Sequence, residues 1–389
     1  MKIMKKVREK LKSRSLELQR LRSTGKKVVA CFAGDFAPLE IIHAAGAEPI
    51  TLISGGTTDA LDASAHAMHR YMCPFSRAQY GYYELQHAIP YYKMFDMLVA
   101  PTTCTQLIQT ASLFEYHSDI PVFKLGVPAP TDGERSKTYF KTVLGMMQER
   151  VESLTGEKVD DDKLKASIAL YRRIRDLLKQ ISELRKQPTP PLKASEFILL
   201  NHASLLLAPE DVVELLNEAL SEFSQRDVGQ NETPRILMVG PCIAMGDGKV
   251  LDIIEESGAA VVVEDFAEGI MYYWENVDDS VDPMDALVEK YLMKRPNCAF
   301  TRGTTGRHLE FVSKLIKEFK VDGVVWYQLR LCDSYNVHSY TLSEYLRNAD
   351  PAIPVIKVES EYDIADNNQL KTRIDTFIET IITNFKGGF

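Results

Sequence analysis

The chain has 389 residues, 45% of them hydrophobic and 26% charged, with a formal net charge of -8. That length exceeds one ordinary core and predicts two domains, and the acidic balance argues against broad nucleic-acid binding. No apolar run reaches bilayer-spanning length, and the start, M-K-I-M-K-K-V-R-E-K, lacks the apolar centre of a signal peptide. The expectation is a cytoplasmic protein with neither a membrane nor a nucleic-acid partner.

The predicted elements begin with an N-terminal helix over 1–26, rich in Lys and Arg, whose apolar stripe is Val7, Leu11, Leu18 and Leu21. Packing on its own domain is the expected role; docking of an acidic partner is the alternative. A first α/β domain is expected over 27–135: a strand at K-V-V-A-C-F, a helix from Ala37 closed by Gly46, and a strand from Ala47 to Ile53. Further strands are expected at Phe95 to Ala100 and Pro121 to Gly126. Cys73 precedes Pro74, a residue favoured in the first turn of a helix, so its thiol falls where the helix dipole favours thiolate. Cys104, after the strand that ends near Ala100, repeats that setting.

Residues 136–232 read as helix alone, a connection with a cap at Asp160 to Asp162 and a forced stop at Gln187 before P-T-P-P. A second α/β domain is expected over 233–389. Its strands are Ile236 to Val239, Ala259 to Glu264, a short one near 297–301, the Val321 run and Pro354 to Glu359. Helices are expected over Val250 to Ser257, up to Phe319, from Leu342 to Asn348, and from Leu370 to Phe385. The stretch V-D-G-V-V-W-Y-Q-L-R-L-C-D-S-Y at 321–335 is the pattern of a strand buried on both faces of a parallel sheet. Cys332 stands at its carboxyl end, where open α/β sheets collect ligands.

Six dispersed cysteines in a reducing compartment do not read as a disulfide framework. Cys73, Cys104 and Cys332 each adjoin a predicted helix start or strand end, which suits thiolate ligands drawn from separate loops. Incidental thiols are the other reading, since no compact C-x-x-C spacing is present. Cys31 reads as core, Cys242 as part of a Gly-rich turn, and Cys298 stands next to a short predicted strand without an assigned role. G-D-G-K lacks the Walker A spacing, so no ATP site is expected. Gly303, Gly306 and Arg307 would suit an anion such as a coenzyme A phosphate, or simply a helix-initiating turn. His66 and His69 have no third ligand, and His87, His117 and His338 are scattered.

Several segments together carry a resemblance: I-I-H-A-A-G-A-E-P-I at 41–50, C-P-F-S-R at 73–77, P-T-T-C at 101–104, the G-P-C loop with K-V-L-D-I-I-E-E-S-G at 249–258, V-D-G-V-V and L-C-D-S-Y-N within 321–336, and V-E-S-E-Y-D with Q-L-K-T-R-I within 358–374. The chain resembles the 2-hydroxyacyl-CoA dehydratase and benzoyl-CoA reductase family, with the length of its smaller, beta-type subunit. The resemblance implies two Rossmann-like (flavodoxin-like) parallel-sheet domains, and a [4Fe-4S] cluster held by Cys73, Cys104 and Cys332. Ser76, Arg77, Asp333 and Asn336 adjoin those ligands and are candidates to donate to cluster sulfur, with ordinary surface or capping roles as the alternative.

It implies further a larger homologous subunit as partner in a heterodimer, an ATP-hydrolysing iron–sulfur activator that delivers one electron, and an acyl-CoA substrate. The reaction implied is loss of water from a 2-hydroxyacyl-CoA through a ketyl radical. An ATP-dependent reductase of the benzoyl-CoA or double-cubane type is the alternative, and a non-enzymatic cluster carrier a third. The chain departs from many relatives in reading E-D-F-A, with Phe266, where they carry cysteine in an E-N-C-type segment. That departure and the core-like Cys31 count against a six-cysteine double cubane.

Overall fold

The computed structural model describes residues 2–34, 36–85, 88–229, 233–278, 280–295, 303–363 and 365–386. The strand expected near 297–301, Cys298 and His87 lie outside the described residues. Among the described residues eight strands form two sheets: β1 Val28–Phe32, β2 Glu48–Leu52, β3 Met97–Pro101 and β4 Val122–Leu125, then β5 Arg235–Val239, β6 Ala260–Asp265, β7 Gly323–Leu329 and β8 Val355–Ser360. Their orders are β2-β1-β3-β4 and β6-β5-β7-β8, with every pairing parallel. The expected pair of Rossmann-like sheets is therefore present, in the same strand order twice.

The strand sequences explain the burial. β1, β2, β3, β5 and β7 are buried at every position, as mainly apolar strands of a parallel sheet covered by helices should be. The edges are β2 and β4 in one sheet and β6 and β8 in the other; β4 and β8 each carry a lysine, Lys124 or Lys357, which discourages pairing with another chain.

The helix Lys2–Ser23 packs on this same chain. Val7 and Leu18 are buried, while its basic face meets acids: Lys6 with Glu218 and Lys10 with Asp211, both at 2.6 Å, and Arg14 with Glu48. Four long helices, Glu134–Thr155, Asp161–Glu183, Ala194–Leu206 and Pro209–Ser224, fill the stretch between the two sheets. The Asp160 carboxylate caps the second of them by accepting from Lys163 N–H at 2.8 Å. A 3-10 turn, Leu184–Lys186, ends that helix ahead of the prolines.

Two buried ion pairs bind this helical arm to both α/β units. Arg175 meets Glu40 at 2.7 Å in the first unit, and Arg185 meets Glu264 of β6 at 2.5 Å in the second. The units also touch directly. Gly55 N–H donates to Met245 C=O at 3.0 Å and Met245 N–H to Ile53 C=O at 2.8 Å, so the chain leaving β2 pairs with the chain leaving β5. A Cβ on Gly56 would stand 2.3 Å from the Gly246 carbonyl, so the joint needs glycine.

One expected helix is misplaced. It begins directly after Cys332, as Asp333–Arg347, rather than near Leu342. The polar D-S-Y-N start hides it from hydrophobic periodicity, although Asp in a first turn favours the helix dipole. Short helices at Thr58–Ala63, Ile270–Tyr273 and Pro283–Val288 were also not legible. Among the described residues no helix is long and apolar enough to cross a membrane.

Candidate functional site

In a sheet ordered 2-1-3-4 the crevice opens between the carboxyl ends of the first and third strands, where the connections diverge. Here two such crevices share one cavity. From the first unit come Ala33 and Gly34 after β1, Cys73, and Cys104 after β3; from the second come Pro241 and Cys242 after β5, and Cys332 after β7. Phe36, Phe75, Leu107 and Leu329 line it with apolar surface, and its empty volume, mouth included, is about 540 Å³.

Each of the three predicted cysteines caps a helix N-terminus: Cys73 for Pro74–Glu84, Cys104 for Thr105–His117 and Cys332 for Asp333–Arg347. The helix starts do act on Cys73, whose thiolate is favoured by the N–H groups of Ser76 and Phe75. Burial dominates, however, and with the nearby Cys104 it pushes the Cys73 thiol up to about 12. Cys242 is driven well above the ordinary thiol range, first by burial, then by Glu268, Cys73 and Cys332. Converging thiols that resist ionisation together need a positive centre to become thiolates, as a metal site supplies. Among the described residues no three His, Cys, Asp or Glu side chains converge closely enough to hold a single metal ion.

Sequence reasoning missed the residue that couples these loops. Gln106, in the first turn after Cys104, accepts through Oε1 from Cys73 N–H and donates through Nε2 to Leu331 C=O at 3.0 Å. Gln328 supports the same corner, donating to the carbonyls of Leu329 and Cys332 at 2.9 and 3.0 Å. Between them Leu331 takes the left-handed backbone, at φ 62. A leucine there is strained, and such strain gathers where a backbone is held for function.

The four proposed neighbours differ. Ser76 is buried and lines the cavity, and its Oγ has no partner among the described residues. Arg77 donates to Leu61 C=O at 2.9 Å, joining two helices. Asp333 is exposed, and its charge contributes to raising Cys73. Asn336 is exposed too; its side chain receives Lys357 and its N–H donates to Cys332 C=O at 2.9 Å.

Other candidates fall elsewhere. Cys31 is core in β1, raised by burial. Arg307 bonds Met293 C=O and Thr131 Oγ1, both at 2.8 Å, and Gly306 lies inside the helix Thr305–Phe319, so that helix start serves packing. His66 and His69 bond their own turn. His338 is not isolated: it meets His308, which meets Asp265 at 2.6 Å, a buried chain invisible to local spacing.

Two parallel sheets that share a cysteine-walled cavity at their carboxyl ends define a doubly wound α/β protein. The family profile for 2-hydroxyglutaryl-CoA dehydratase, D-component, matches residues 36–381, and the chain belongs to that family. YjiM of Escherichia coli (strain K12), described provisionally as a dehydratase subunit, is 29% identical over 371 residues, covering 94% of each chain. The (R)-phenyllactyl-CoA dehydratase beta subunit of Clostridium sporogenes is 21% identical over 367 residues, again 94% of each. One of the subunits of benzoyl-CoA reductase from Thauera aromatica is 22% identical over 362 residues, 92% of this chain and 91% of that one.

Proposed function

We propose that this chain is the iron–sulfur, beta-type subunit of an ATP-activated 2-hydroxyacyl-CoA dehydratase, a hydro-lyase acting with a larger homologous subunit. The observation that carries the reading is the convergence of Cys73, Cys104 and Cys332 on one apolar cavity at two switch points. The residues present fit a [4Fe-4S] cluster. Three soft donors on separate loops match its ligand needs, and the buried, unpartnered Ser76 hydroxyl is a donor that cluster sulfide would accept from.

A bound cluster supplies one-electron chemistry, the means of activating a thioester whose β-hydrogen is not acidic. The chain's own residues set its surroundings. Phe36, Phe75, Leu107 and Leu329 exclude water, Gln106 and Gln328 fix the backbone of the ligand loops, and Ser76 stands where its hydroxyl tunes charge. In this reading a separate ATP-hydrolysing iron–sulfur activator delivers the electron.

The test is anaerobic co-expression with a larger subunit and activator, followed by assay of 2-hydroxyacyl-CoA loss. Dehydration that requires all three proteins and ATP supports the reading. A second reading, an ATP-dependent acyl-CoA reductase component, takes its support from the similarity to the benzoyl-CoA reductase of Thauera aromatica. Reduced rather than dehydrated product selects it.

A further inference from the structure

Five buried glutamates can be compared among the described residues, of which Glu152 has Lys158. Glu40 has Arg175 and Tyr291, Glu48 has Arg14, and Glu264 has Arg185. Glu268, 1% exposed, has no such cation among the described residues. Its Oε1 accepts from Ile243 N–H at 2.7 Å, and its Oε2 has no partner among the described residues. The side chain lines a second cavity, between Cys31, Leu205 and Tyr272, which shares Ala33 and Gly34 with the thiol cavity. Ile243 directly follows Cys242, and Ala267, which precedes Glu268, lines the thiol cavity, so this carboxyl stands behind the wall that Cys242 forms; it is first among the charges that raise the Cys242 thiol.

We propose that Glu268 is the proton-exchanging acid of the thiol cavity: it holds a proton beside the bound cluster, and its ionisation is coupled to the cluster's charge. The inference rests on the cluster reading above.

Apart from the Ile243 N–H, the groups facing Glu268 favour the neutral acid. Burial is the largest influence, and the carboxylates Glu264 and Asp247 reinforce it; together they push the group up to about 8 against the Ile243 hydrogen bond. His202, from the helix Ala194–Leu206, is itself pulled down to about 4 by burial, so it brings no positive charge at neutral pH. The Cys31 and Cys242 thiols are raised and neutral. Lys290 lies over the rings of Tyr272 and Tyr291 and acts on Glu40. An orphan carboxyl in such surroundings stays protonated because its charged form would be buried and uncompensated. Loss of its proton places a negative charge beside the cluster and opposes arrival of an electron. When an external one-electron reductant supplies that electron, the ionised carboxyl takes a proton from solvent, so one charge enters and one is neutralised.

The experiment uses the full-length chain, anaerobically purified with its cluster, as wild type, Glu268→Gln and Glu268→Asp. Redox titrations across pH 6 to 10 are expected to give a midpoint potential that falls with rising pH in the wild type and in Glu268→Asp. Glu268→Gln should match the wild type near neutrality and stay level above about pH 8. Equal slopes in all three overturn the proposal. Infrared spectra of the same samples, which require no iron, should show a protonated carboxyl band at pH 7 that Glu268→Gln lacks; a band unchanged in that variant also overturns it. A wild-type chain without iron or sulfide overturns the cluster reading instead, and with it the coupling, while the infrared result still reports on the acid.

Discussion

The side-chain amide of Gln106 reaches the carbonyl of Leu331 at 3.0 Å, across 225 positions of sequence, while its oxygen receives the Cys73 amide. One side chain thus ties the loop of one cysteine to the loop of another, with Cys104 two residues before it. Gln106→Ala leaves a donor and an acceptor without partners in a mostly buried corner. The expected cost is about 1–3 kcal/mol in chemical denaturation, together with weaker iron retention. Retained stability and full iron content would show that the tie is incidental.

Gly56 should be as sensitive, for a steric reason. Its φ is +80, and an added Cβ would meet the Gly246 carbonyl at 2.3 Å, where the two units join. Gly56→Ala is expected to lose about 2 kcal/mol or more, and iron with it, because the thiols come from both sides of that joint. Thermal unfolding with iron analysis checks both effects.

The Arg185–Glu264 pair, 2.5 Å apart and almost fully buried, anchors the helical arm to β6. Arg185→Met strands the carboxylate and is expected to cost about 3–5 kcal/mol. Replacing both residues with methionine should recover most of that loss, since it removes the lone charge. A double-mutant cycle by urea unfolding reads the difference.

Glu268 gives a signed pH dependence in the cluster-free chain. Its carboxyl is raised from 4.5 to about 8, so between those values the folded chain holds a proton that the unfolded chain releases. Stability from this group therefore declines as pH rises through that window, at a slope approaching about 1.4 kcal/mol per unit. Glu268→Gln removes the decline. The stability of the variant relative to wild type should rise from pH 5 to pH 8, and a constant difference would contradict the assignment.

Much of the fold could be read from the chain because its strands are short apolar runs bounded by turns. The three cysteines were legible for the same local reason, each standing beside a strand end or a proline-marked helix start. Gln106 was not, because both of its partners lie far off in sequence and nothing in T-C-T-Q marks it. Cys242 read as part of a turn because its loop is Gly-rich; only the meeting of two crevices shows it as a wall of the cavity. The Asp265–His308–His338 chain and Glu268 were hidden likewise, since burial and absent counter-charges are properties of tertiary structure.

The central claim is that Cys73, Cys104 and Cys332 together hold one cluster. The most direct measurement is iron, sulfide and reduced-state electron paramagnetic resonance analysis of the anaerobically purified chain, alongside Cys73→Ser, Cys104→Ser and Cys332→Ser. About four irons and four sulfides per wild-type chain are expected, with the signal lost or strongly altered in each variant. A wild-type chain free of iron, or three serine variants with the full wild-type signal, would contradict it.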